Sequence, residues 1–99
     1  MSEPDEHFFV VDGRRWRRED PHLPSQVAEE LRSHLGRARS AIGRAGREGT
    51  DPAPYRARVS AAKHGLGERG TPWWEQDDDA RRERYEQALQ TLRADDDPA

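Results

Sequence analysis

Trp73-Trp74 stands a few residues after Arg69, separated from it only by Gly70-Thr71-Pro72. Paired indole rings beside a guanidinium can stack a nucleobase or grip a peptide. The competing role is structural: aromatic residues make up 7% of the chain, so a small core can hardly spare all three tryptophans. Neighbouring residues on a regular element point apart, so one of the pair is expected inside and the other partly exposed. Arg69, Trp73 and Trp74 are therefore the candidate contact surface. Glu68-Arg69, bracketed by Gly67 and Gly70, is either a charged pair displayed on a constrained loop or a device that fixes the turn.

A second cluster, Arg14-Arg15-Trp16-Arg17-Arg18, interleaves cations with one aromatic, as nucleic-acid binders often do. Arg14, Arg15 and Arg17 are the candidate contacts for that alternative. Alternation along a strand turns Trp16 inward and leaves Arg15 and Arg17 on the other face, where arginines also guard a sheet edge. His7, His22, His34 and His64 have no metal-ligand spacing, and Asp77-Asp78-Asp79 lacks the alternation and glycine of a calcium loop. No serine sits in a nucleophile elbow, and no glycine-rich loop leads from a strand into a helix with a lysine. Neither an enzyme nor a bound cofactor or metal is expected.

The elements that must carry these residues are legible. Phe8-Phe9-Val10-Val11, then Asp12-Gly13, then the arginine-rich run predicts a β-hairpin over 8–18 with a type I′ turn. In that register Phe9 faces Trp16, and Phe9, Val11 and Trp16 share a face that must pack on helices, because a lone hairpin is marginal in water. Pro21 and Pro24 punctuate the connector that follows. A first helix, about 25–45, begins at Ser25 as N-cap and carries the stripe Val27, Leu31, Leu35, Ala38, Ile42. Asp51-Pro52 opens a second, about 52–64, with Tyr55, Val59 and Ala62 on one face and a Schellman stop at Gly65-Leu66. A third, about 78–94, shows Tyr85, Ala88, Leu89 and Leu92 behind an acidic start. The fold class is α+β, mainly α: one small domain over 7–94, flanked by polar tails at 1–6 and 95–99.

The segment Lys63-His64-Gly65-Leu66-Gly67-Glu68-Arg69-Gly70 with Trp73-Trp74 resembles small uncharacterised bacterial proteins, of actinobacterial kind, that share L-G-E-R-G-x-x-W-W. Gly13-Arg14-Arg15-Trp16-Arg17, Asp20-Pro21 and Pro24 before a helix are similar to them too, so the resemblance covers roughly residues 8–75. Some members bear a biopolymer-transporter (Tol) designation, which this chain's lack of an apolar span does not match. Others continue after the tryptophans with Asp-Gly and Asn-Arg segments, where this chain has Glu75-Gln76-Asp77-Asp78-Asp79. The resemblance implies a shared fold and no activity.

Composition bounds the rest. At 99 residues, with 31% hydrophobic and 37% charged side chains, the chain has material for only a thin core. A partner surface or a second copy can supply the missing burial. There is no cysteine to staple it. No apolar run approaches the ~20 residues of a membrane span, and the acidic start lacks the marks of a secretory signal, so a cytoplasmic protein without membrane contact is expected. The net charge of −3 conceals segregation: residues 32–69 hold nine basic against three acidic side chains, residues 75–97 four against nine. The expected function is a non-enzymatic module that binds a protein partner or itself. The alternative is a nucleic-acid-binding accessory protein that uses the arginine-rich hairpin and the basic helix faces.

Overall fold

The computed structural model describes residues 7–96 of the chain. The expected tail at 1–6 lies outside them. Strands β1 (Phe8–Val11) and β2 (Arg14–Arg17) form an antiparallel hairpin, and helices α1 (Ser25–Glu48), α2 (Ala53–Leu66) and α3 (Asp78–Asp96) follow. A short 3-10 turn, Trp73–Glu75, precedes α3. The class is thus α+β, mainly α.

The hairpin turns where a left-handed backbone is tolerated: Asp12 has φ 53° and Gly13 φ 79°. Phe9 pairs with Trp16 and Val11 with Arg14, the register expected of a two-residue turn. The Arg18 amide also donates to the His7 carbonyl at 2.8 Å, which makes that pair hydrogen-bonded. Hydrogen-bonded and open pairs alternate in an antiparallel ladder, so Val10 and Arg15 form an open pair. Their amides and carbonyls point away from each other, along the two free edges.

Helix boundaries follow local chemistry, with three shifts from expectation. α1 starts at Ser25 without a side-chain cap; Pro24 precedes it, and its carbonyl accepts from Ala28. The helix runs through Gly46 to a left-handed Gly49. α2 passes through Gly65 and stops at Gly67, with φ 89°. Gly67 donates to the His64 carbonyl and Glu68 to that of Lys63, the paired bonds of a Schellman motif set two residues later than the sequence suggests. α3 continues through Asp96, into the expected acidic tail; residues 97–99 lie outside the described part. Asp51 and Asp77 cap as their positions imply: each accepts a backbone N–H of the helix it opens, Ala53 at 3.0 Å and Ala80 at 2.8 Å.

Gly65 has a different job from stopping α2. A Cβ there would sit 2.6 Å from the Ala88 Cβ and about 3.0 Å from the Leu31 side chain. α2 therefore crosses α3 backbone-close, with Leu31 of α1 closing the third side. The end of α2 meets the start of α1, and Arg58, early in α2, reaches the Leu92 carbonyl late in α3. So α2 runs antiparallel to both neighbours and is the middle helix. The core is Leu31, Leu35, Ala62, Leu66, Ala88, Leu89 and Leu92, with Val27, Val59 and Tyr85 half-buried around it. Below Leu35, α1 meets α2 through Ala38, Ala41 and Ala45, which are buried where the expected Ile42 is only half-buried.

Candidate functional site

The hairpin makes no part of the helical core; it is fastened to it by a clasp. Trp73 is buried, and its indole Nε1 donates to the Arg18 carbonyl at 3.0 Å, just past β2. The Trp73 carbonyl accepts two bonds from the Arg81 guanidinium, at 3.0 and 3.1 Å. Arg17 closes the other side by donating to the Gly70 carbonyl at 2.9 Å. Pro72 lies immediately before the pair and Gly70 has φ 82°, so the turn that carries both rings is narrowly constrained.

At the centre of the clasp lies Asp20, 3% exposed. One carboxylate oxygen accepts from Arg84 at 2.7 Å, with Arg81 at 3.8 Å. The other accepts from the His22 amide at 2.8 Å, an Asx turn ahead of the connector's end. Its own amide donates to the Leu66 carbonyl at 2.9 Å, and Arg84 also reaches the Gly65 carbonyl at 3.3 Å. Asp20 thus joins the connector, the end of α2 and the face of α3 through its amide and carboxylate together. Such a satisfied buried network specifies a single arrangement more than it adds net stability.

The three tryptophans separate accordingly. Trp73 is the buried one and Trp74 the half-buried one, as their adjacency requires. Trp74 is covered by the hairpin: His7 stacks on it at 3.9 Å, Phe8 meets it edge-on at 5.7 Å, and Arg17 lies 5.7 Å above it. Arg69 is exposed and opens onto a shallow depression beside His64, Thr71 and Arg84. Of the candidate contact surface, Arg69 is thus exposed, Trp74 half-buried and Trp73 buried. Trp16 takes the expected face of the hairpin but is not part of the helical core. It is half-buried, with the Lys63 ammonium 5.2 Å from its ring and the Arg14 guanidinium 4.8 Å away.

What the clasp holds in place is a groove. Phe9, Val11 and Trp16 do share one hairpin face, and they look across a space of about 610 Å³ toward Leu35 and Gly36 of α1. Lys63, 7% exposed, lines it together with Glu68. Burial pushes the Lys63 ammonium down from its ordinary pKa, against the pull of Glu68, and pushes the Glu68 carboxyl up. Arg32 and Arg39 stand on the rim with Glu19, which takes both Arg32 donors at 2.8–3.2 Å. On the opposite hairpin face Arg15 lies 4.2 Å over Phe8. Among the alternative nucleic-acid contacts, then, Arg14 and Arg15 are exposed and Arg17 is engaged in the clasp.

Asp20, Arg81, Arg84 and Lys63 were not singled out by sequence. Asp-Pro in a connector signals a turn, and Arg81 and Arg84 share a helix face at i, i+3, yet both arginines read as solvent charge on an acidic helix. Lys63 is the only lysine among 17 basic residues, and it follows a stripe position directly.

A third polar cluster ties the far ends together. Arg93 of α3 donates twice to Glu30 of α1, at 2.7 and 2.8 Å, and Glu30 meets the buried His34 at 3.2 Å. The Arg93 hydrogen bonds, aided by His34 and opposed by partial burial, hold the Glu30 carboxyl down at about 2 from 4.5. A carboxyl with a lowered folded pKa stabilises the fold fully above its unfolded value, and that contribution disappears as pH falls toward 2. Urea midpoints should therefore drop more steeply below about pH 4.5 in the native protein than in Glu30→Gln. Because Arg93 is largely exposed, the difference should shrink in high salt. Parallel pH profiles for the two proteins at low salt would remove this pair from the account.

No family model, curated protein or solved structure matches the chain. Among the described residues, no helix is long and apolar enough to cross a membrane.

Proposed function

We propose that this domain is a non-enzymatic interaction module that binds another protein, or a second copy, along the hairpin. One observation carries the reading. Phe9, Val10 and Val11, consecutive on β1, are the large hydrophobic residues left exposed among those described, at 38%, 62% and 48%. Apolar residues exposed on both faces of one strand, beside the outward amide and carbonyl of Val10, suit the addition of a partner strand. The clasp supports this reading, since it fixes a two-stranded sheet that would otherwise be marginal.

The test is Val10→Lys, a charge that blocks strand addition without touching the helical core. Sedimentation of the wild type and affinity capture from the source cell should show a dimer or a partner that the variant loses. Equal assembly and equal capture by both proteins would overturn the reading. The nucleic-acid alternative draws on the exposed Arg14 and Arg15 at the hairpin end. Phosphate contacts weaken steeply as salt rises, so a gel-shift series against salt separates the two readings. No shift at low salt removes the alternative.

A further inference from the structure

We propose that the groove between the hairpin and α1 is a binding site for a small monocarboxylate with an aromatic or branched apolar body. Lys63 takes the carboxylate, and Trp16, Phe9 and Leu35 flank the body. The site shares Phe9 and Val11 with the hairpin-edge reading but not Val10, so Val10→Lys tests that reading and leaves the groove lining in place.

Three observations lead to it. Lys63 is a buried residue whose ammonium keeps access to the groove it lines, with the Trp16 ring 5.2 Å away; among the described residues no carboxylate reaches ion-pairing distance and no acceptor takes its hydrogen bond. An ammonium on a mostly buried stem is left partly desolvated, and a π-face replaces only part of what a counter-ion provides. Second, the space beside it is apolar on two sides, and its volume of about 610 Å³ lies within the usual range for small-molecule sites. Third, the rim sets the ligand's charge. Lys63, Arg32 and Arg39 face Glu19 and Glu68, a formal surplus of one positive charge, and Arg32 is already held by Glu19. A monoanion matches that surplus, whereas a phosphate dianion meets two carboxylates. Glu68 is the competitor the ligand must displace electrostatically, and its burial already disfavours its charge.

The probe is 3-phenylpropionate, followed through the Trp16 indole N–H signal in two-dimensional NMR. The Trp73 indole signal, held by its bond to Arg18, reports an intact fold. The expected result is saturable movement of the Trp16 signal at millimolar probe. The uncharged 3-phenylpropionamide should bind at least about tenfold more weakly, as should the probe to Lys63→Met. Glu68→Gln should bind the probe several-fold more tightly. Inorganic phosphate should leave the Trp16 signal in place. Should Lys63→Met fail to fold, the amide comparison and Glu68→Gln decide the matter without it. Equal affinity for acid and amide, an unaffected or weakened Glu68→Gln, or movement without saturation would overturn the proposal. So would a Trp16 shift that follows protein concentration with no probe present, which would assign the groove to a second copy.

Discussion

Asp20→Ala is expected to cost about 3–5 kcal/mol, the range for removing one partner of a buried ion pair. The substitution takes the carboxylate from Arg84, whose side chain is 9% exposed, while Arg81 keeps its two bonds to the Trp73 carbonyl. It also removes the Asx bond to the His22 amide. Domains of this size have roughly 5–15 kcal/mol in total, and a thin core places this one toward the bottom of that range. The loss is therefore large enough to unfold the protein, or to release the hairpin while the helices persist. Asp20→Asn should fall between the two proteins, because an amide keeps the shape and the Asx acceptor but not the charge. Chemical denaturation followed by both far-ultraviolet dichroism and tryptophan fluorescence distinguishes global unfolding from hairpin release. A loss under about 1 kcal/mol would show that the clasp is ornamental, since even an ordinary neutral hydrogen bond is worth that much.

Leu31→Ala should cost about 2–5 kcal/mol, the span for emptying a leucine site in a packed core. Leu31 is fully buried and packs where α2 and α3 approach most closely at Gly65 and Ala88. Its methyl groups lie about 3.0 Å from where a Gly65 Cβ would be, so the site is packed tightly around a missing side chain. Collapse into the vacated space is hindered, because α2 and α3 are already in backbone-close contact there. That places the expected cost in the upper half of the range. Ile42→Ala, only half-buried on the same helix, should cost distinctly less. A cooperative melt for Leu31→Ala within a few degrees of the wild type would contradict this core.

The local chemistry of most elements was legible from residue types. Asp12-Gly13 predicts its turn and register, and Asp51 and Asp77 lie where helices open. Leu31, Leu35, Ala62, Ala88, Leu89 and Leu92 follow from helical spacing alone. Tertiary packing decided what periodicity could not. Gly65 reads as a stop because glycine followed by leucine fits one, but close approach to Ala88 gives it an interior place and moves the stop to Gly67. The clasp is the larger omission: Asp20, Arg81 and Arg84 come from two distant segments, and their convergence exists only once α3 has packed on α2. Trp16 takes the face that alternation predicts without joining the helical core. Alternation settles the face of a strand and not its depth. The groove follows from that depth, so its candidate residues were hidden for the same reason.

Both the exposed strand edge and the groove depend on the clasp, which holds the hairpin against α2 with Trp16 over Lys63. Proton NMR of the native protein tests it in a single data set. The Trp73 indole proton should exchange slowly with solvent, being buried and bonded to the Arg18 carbonyl, and the Trp16 ring should show cross-relaxation to the Lys63 side-chain methylenes, shifted upfield by the ring current. Three indole protons exchanging at the free rate, with no Trp16–Lys63 cross-relaxation, would mean that the hairpin does not dock and that neither clasp nor groove exists.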